Sequence, residues 1–208
     1  MSTAYIKTPT ENSILGLWHI NESVQELLAS LRLSENERHT FESKKNDARK
    51  KEWLACRNLL KAMTAGDLEI KYDSNGRPYF DDKVFEISIS HSAEYACVYL
   101  NNKKPVGVDI QKIKPAISTG SDFFLSQEEN KWVDKEDNLM LHIIWSGKES
   151  AFKYCGIMDL DLKKDIHISN FTRNQIGIIE VTILNYDLKD KILINYECFD
   201  DYVLTRTV

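Results

Sequence analysis

Asn101-Asn102-Lys103-Lys104-Pro105-Val106-Gly107-Val108-Asp109-Ile110-Gln111 is the stretch at which the chain divides. Its first four residues are a turn by composition. The residues beyond alternate, with Val106, Val108 and Ile110 on one face of a strand and Gly107, Asp109 and Gln111 on the other. Residues 95–100 before the turn read as another strand, so a strand pair across 101–104 is expected. Working outward, residues 14–20 read as a strand, and Asn21 or Ser23 as the cap of a helix running to Leu31. Residues 37–63 read as helical, with Trp53, Cys56, Leu60 and Met63 forming an inward stripe. Residues 74–78 form a turn and 84–90 an alternating strand, with Phe85, Ile87 and Ile89 on its apolar face. After the break, Ser126-x-x-Glu129 has the form of a capping box that starts a helix. A second helix spans 138–154 with Gly156 as its terminator, and 176–184 and 192–207 read as β. Strand, helix and strands thus occur twice. The prediction is an α+β fold of two similar halves, 1–104 and 105–208, joined without a flexible hinge.

Composition narrows the function classes. The 208 residues are 42% hydrophobic and 28% charged, with eight Gly and four Pro, the balance of a globular protein rather than a disordered or collagen-like one. The longest uninterrupted apolar run, 95–100, is far short of the ~20 residues of a membrane helix, and the N-terminus lacks the apolar stretch of a secretory signal. A soluble cytoplasmic protein is expected. Four cysteines without a CxxC pair and five histidines without HExxH speak against zinc ribbons, thioredoxin-type chemistry and zinc proteases. A net charge of −5 argues against a dedicated nucleic-acid binder. Between Arg32 and Lys61, however, nine Lys/Arg face five Asp/Glu, either a solvated helix surface or a landing site for a small polyanion.

Three segments carry chemistry. Asp109 shares its strand face with Gln111 and with Gly107, whose missing side chain leaves room beside the carboxylate; such a glycine often marks close ligand approach, although an Asp on the wet face of an edge strand reads the same way. In Trp145-Ser146-Gly147-Lys148-Glu149-Ser150-Ala151-Phe152-Lys153, Glu149 and Lys153 are four apart on one helix face, and the flanking aromatics suggest a packed helix on which charged groups need partners. Residues 87–92 feed His91 into a polar loop, but a Ser-His-Asp hydrolase is disfavoured, because the Gly-x-Ser-x-Gly elbow is absent and Ser90 and His91 are adjacent. Walker A and GxGxxG phosphate loops are also missing. Arg57 lies at the edge of the inward stripe of its helix, where it can bury its stem and present its guanidinium at a rim.

Gly76-Arg77-Pro78, Ser90-His91-Ser92, Gly107-Val108-Asp109 and Trp145-Ser146-x-Lys148-Glu149-Ser150-x-x-Lys153 follow one another in order. In this the chain resembles the Sfp-type 4′-phosphopantetheinyl transferases, over roughly residues 37–156. The resemblance implies transfer of the phosphopantetheine arm of coenzyme A to a serine hydroxyl of an acyl or peptidyl carrier protein, with release of adenosine 3′,5′-bisphosphate. It implies a Mg²⁺ site from Asp109 and Glu149, with Glu149 also helping to deprotonate the serine and Lys153 balancing charge on the phosphates. Arg57, Arg77, Ser90 and His91 are expected at the nucleotide and its phosphates, Lys44 or Lys45 adding a contact. Many members carry an acid where this chain has Gln111, so Gln111 is expected as a weak metal ligand or an orienting group at most. The family fold is a pseudo-twofold pair of α+β units with the site in the cleft between them, and such a chain can work as a monomer. The competing expectation is a non-catalytic module that binds coenzyme A or a carrier protein.

Overall fold

The computed structural model of the protein describes residues 4–66, 68–115, 117–185 and 188–208. It is an α+β chain whose backbone contacts separate two units, Met1–Pro105 and Val106–Val208. Among the described residues no helix is long and apolar enough to cross a membrane.

In the first unit, β1 (Ala4–Thr10), β2 (Ser13–His19), β5 (Glu86–Ser92) and β6 (Tyr95–Asn101) form an antiparallel sheet in the order β1-β2-β6-β5. β3 (Lys71–Tyr72) and β4 (Pro78–Tyr79) make a separate two-stranded ladder around the 74–78 turn. That turn is held by the Asp73 carboxylate, which accepts the Asn75 and Arg77 backbone N–H groups, and by Gly76 at φ +77°. Ser23 caps α1 (Val24–Ala29) through a full capping box with Glu26. The expected single helix over 37–63 is two helices, α2 (Glu35–Glu42) and α3 (Asp47–Thr64). Ser43 closes the first, and Asn46 caps the second by accepting the Arg49 N–H; these short polar side chains compete with the helix for backbone partners. Of the expected stripe of α3, Cys56, Leu60 and Met63 pack together with Ala55 and Leu59 against Ile87, Ala96, Val98 and Leu100 of the sheet, whereas Trp53 packs with Leu27 and Leu54 in a separate cluster. On the opposite face of β5, Ser88 and Ser90 are buried as well, while Glu86 at the strand's start is exposed.

The second unit does not continue the first unit's strand pairing. β7 (Val108–Lys112) does not pair with β6; it is the edge of a five-stranded antiparallel sheet ordered β7-β11-β10-β9-β8, completed by β8 (Ile166–Ile168), β9 (Ile176–Asn185), β10 (Leu188–Phe199) and β11 (Tyr202–Thr207). The run 101–105 cannot close a tight hairpin. The Asn101 side chain accepts both the Lys103 and Lys104 N–H groups, and Pro105 has no N–H for a ladder. The Ser126–Glu129 capping bonds form, yet only a 3-10 turn, Glu129–Lys131, follows. The long helix is α4 (Asn138–Cys155), opened by Asp137 accepting the Met140 N–H and closed by Gly156 at φ +65°. It packs Leu141, Ile143, Ile144 and Ala151 into a core with Ile166, Ile179, Val181, Ile194 and Tyr196.

Gly107 lets α4 close on β7. A Cβ at this position would lie 1.8 Å from the Ser150 carbonyl oxygen and 2.9 Å from the Tyr154 nitrogen, so the space read as room for a ligand is occupied by helix backbone. His142 ties the chain just after β7 to the same helix. Its Nε2 accepts the Lys114 N–H at 3.0 Å, so in the neutral ring Nδ1 carries the proton donated to the Asn138 carbonyl at 2.7 Å; burial holds this imidazole below its ordinary pKa.

Gly107→Ala is expected to cost about 3 kcal/mol or more, at the upper end of overpacking because the clash is with backbone. Urea unfolding of the variant against wild type measures this directly.

Candidate active site

Both acids of the sequence reading lie in the second unit, on elements that meet. Asp109 is the second residue of β7, across the ladder from Thr205 of β11, and with 1% of its surface exposed it is a buried carboxylate, not one on a wet edge. Its Oδ1 accepts Lys153 Nζ at 2.7 Å, and its Oδ2 accepts Ser146 Oγ and Gln111 Nε2, each at 2.9 Å. Lys153 also donates to the Val108 carbonyl at 3.1 Å. A lone buried carboxylate costs several kcal/mol; three donors, one of them charged, offset that here.

Glu149 stands one helical turn before Lys153 and is half-buried. Burial pushes its carboxyl above the ordinary range, the neighbouring Asp109 charge pushes it further, and Lys153 pulls the other way. The Asp109 charge raises the proton affinity of Glu149 by more than the Lys153 ammonium lowers it, so the two acids together are a donor set short of positive charge. The pair therefore fits a divalent cation bound through two carboxylates. Gln111 is turned toward Asp109, its amide N–H on Oδ2.

The neighbouring helix position does something the sequence reading did not identify. Lys148 is fully buried, and all three of its ammonium protons are used: Phe124 O at 2.7 Å, Glu129 Oε2 at 2.7 Å and Leu162 O at 2.9 Å. Glu129, 1% exposed, in turn accepts the Ser126 and Ile168 N–H groups. This is a hydrogen-bonded buried ion pair that fixes two loops and β8 to the helix bearing Glu149. The Ser-x-x-Glu spacing pointed at Glu129 but only as a cap; its partner, Lys148, is visible only in three dimensions.

In the first unit three of the expected phosphate-facing residues, Arg57, Arg77 and His91, each stand beside a carboxylate. Arg57 is 5% exposed, not at a rim. It donates Nε to Glu37 at 2.9 Å, and its guanidinium lies 3.2 Å from the Trp53 ring centroid. It lines a cavity of about 140 Å³ with Arg32, Ser34, Glu37, Lys61 and Glu69. His91 Nδ1 is 3.3 Å from Glu52, which also binds Arg49 at 3.0 Å. Arg77 meets Glu86 at 3.3 Å on the surface. Ser90 is buried in β5 opposite Cys97. Lys44 is half-buried and Lys45 exposed.

Compared with known proteins, residues 105–207 match the family model described as the 4′-phosphopantetheinyl transferase superfamily. The match spans the second unit, which holds Asp109, Gln111, Glu149 and Lys153. No curated protein matches the chain.

Two outcomes follow from this geometry. Lys148→Met should lose about 3–5 kcal/mol of stability, because it leaves the Glu129 charge buried and unpaired; denaturant unfolding reads this. Because the folded-state pKa of Glu149 is raised, the chain binds its proton more tightly folded than unfolded. Its contribution is present below the ordinary carboxyl pKa near 4.5 and is lost as pH rises through the folded value. Glu149→Gln should therefore raise the melting temperature of the metal-free chain at pH 7 and leave it unchanged at pH 4, as calorimetry at the two pH values would record.

Proposed function

We propose that the chain, from the superfamily match of its second unit and the paired carboxylates there, is a Mg²⁺-dependent, Sfp-type 4′-phosphopantetheinyl transferase. It moves the phosphopantetheine arm of coenzyme A onto a serine hydroxyl of an acyl or peptidyl carrier protein and releases adenosine 3′,5′-bisphosphate. It acts as a cytoplasmic monomer. The observation that carries this reading is the pair Asp109 and Glu149, two carboxylates with repelling charges around Lys153.

In this reading Asp109 and Glu149 hold the cation, and Gln111 contributes through its bond to Asp109 more than as a ligand. The ion would supply charge neutralisation at the diphosphate whose P–O bond breaks. Lys153, 27% exposed with its ammonium already on Asp109, steadies negative charge on the departing phosphate. Glu149, with its carboxyl raised by burial and by Asp109, is a better proton acceptor for the attacking serine than an ordinary glutamate. Arg57, Arg77, Ser90 and His91 serve the nucleotide and its phosphates. A phosphate arriving at Arg57, Arg77 or His91 competes with Glu37, Glu86 or Glu52 for the same cation, which favours a polyanion over a single charge.

The test is to incubate the chain with apo carrier proteins, coenzyme A and Mg²⁺ and to weigh the carrier. A gain of one phosphopantetheine group is expected, abolished by chelation. Asp109→Asn should lower the rate by roughly a hundredfold or more, about 2.7 kcal/mol in activation free energy, while remaining folded. Binding of coenzyme A or carrier without any mass gain would make the chain a binding module and overturn the reading.

A further inference from the structure

Behind Asp109 stand three hydroxyls that do not touch solvent: Ser146, Ser150 and Thr205 are each 0% exposed. The two serines come from successive turns of α4, and Thr205 from β11 directly across the ladder from Asp109. Ser146 Oγ lies 2.9 Å from Asp109 Oδ2 and 2.9 Å from Thr205 Oγ1, and Ser150 Oγ lies 2.7 Å from Thr205 Oγ1. Each hydroxyl has one proton to give. Asp109, against the Lys153 ammonium, is a carboxylate that only accepts, so the Ser146 proton is committed to Oδ2. The proton between Ser146 and Thr205 must then come from Thr205, which shares it with the Ser146 carbonyl at 2.8 Å. By the same count the proton between Ser150 and Thr205 belongs to Ser150, shared with the Thr205 carbonyl at 3.1 Å. The chain of donors runs one way, from Ser150 through Thr205 and Ser146 to Asp109, and each bond polarises the next.

We infer that Thr205 is a positioning residue for the Asp109 carboxylate: its hydroxyl holds the Ser146 proton on Oδ2 and so keeps Oδ1 turned to the charged side of the site. This rests on the metal-site reading above. Gln111, the other donor to Oδ2, is half-exposed, whereas the hydroxyl chain is sealed from water. The chain is therefore the part of the arrangement that solvent cannot replace. Valine at position 205 keeps the shape of threonine and removes its hydroxyl, and with it the bonds to Ser146 and Ser150.

Mn²⁺ is the probe, its binding to the full chain with coenzyme A followed by electron paramagnetic resonance. Thr205→Val and Ser146→Ala should each weaken Mn²⁺ about tenfold, the usual scale for a group that orients a ligand. The Mg²⁺ concentration for half-maximal transfer should rise by the same factor, with the KM for carrier protein unchanged. Thr205→Ser, which restores the hydroxyl, should return wild-type affinity. A Thr205→Val chain that melts earlier yet binds Mn²⁺ as tightly as wild type would reduce Thr205 to a packing residue and overturn the inference. If that variant does not fold, unchanged Mn²⁺ affinity in Ser146→Ala overturns it equally. Wild type that binds Mn²⁺ but modifies no carrier overturns the transferase reading alone, and the Mn²⁺ titrations still decide the role of Thr205. Wild type that binds no Mn²⁺ overturns the inference together with the metal site.

Discussion

The second unit is organised around a carboxylate taken out of water. Asp109 sits on an edge strand, the ordinary place for a solvated acid, yet it is 1% exposed because α4 lies across β7. That approach depends on Gly107, whose missing Cβ is the space taken by the Ser150 carbonyl. Once the helix is there, its Ser146 and Lys153 are the groups that make the burial tolerable. The packing and the chemistry are one constraint: without close contact the acid has no donors, and without the donors the contact would bury an unpaired charge.

The same helix is fixed from another side by a second buried charge. Lys148 spends its three protons on Glu129 and two carbonyls, so rotation or sliding of α4 would unpair either that ammonium or the Asp109 carboxylate. A helix held at two electrostatic points is a rigid carrier for Glu149, the half-buried group whose protonation is tuned by its surroundings. The first unit treats its charges differently. Arg57, Arg77 and His91 are each matched to a nearby glutamate, and Arg77 and His91 are partly exposed rather than locked by burial on all sides. Arg57 is the exception, stacked on Trp53 and nearly enclosed.

Much of the local structure was legible because it is written in short-range patterns. Alternation around Asp109 placed β7, four-residue spacing placed Glu149 and Lys153 on one face of α4, and Ser23 (with Asn21 as the alternative), the run 74–78 and Gly156 marked a helix start, a turn and a helix end. The same local rules misjudged pairing and termination. A turn-like run between two strands suggested a hairpin, but the Asn101 side chain and Pro105 divert the chain to another sheet. A correct capping box at Ser126 yielded a single 3-10 turn, and its Glu129 also pairs with the distant Lys148. Helical periodicity over 37–63 hid the break that Ser43 and Asn46 impose.

The sequence by itself determined the α+β character, the elements that bear Asp109, Glu149 and Lys153, and the local caps and turns, since these depend on backbone periodicity and on hydrogen bonds reaching three or four residues. Only the tertiary structure decided that β11 is the partner of β7, that Thr205 lies opposite Asp109, that Lys148 meets Glu129, and that Gly107 admits a helix rather than a ligand. Those contacts join groups far apart along the chain, and their energies come from shared burial, which exists only once the distant segments have been brought together.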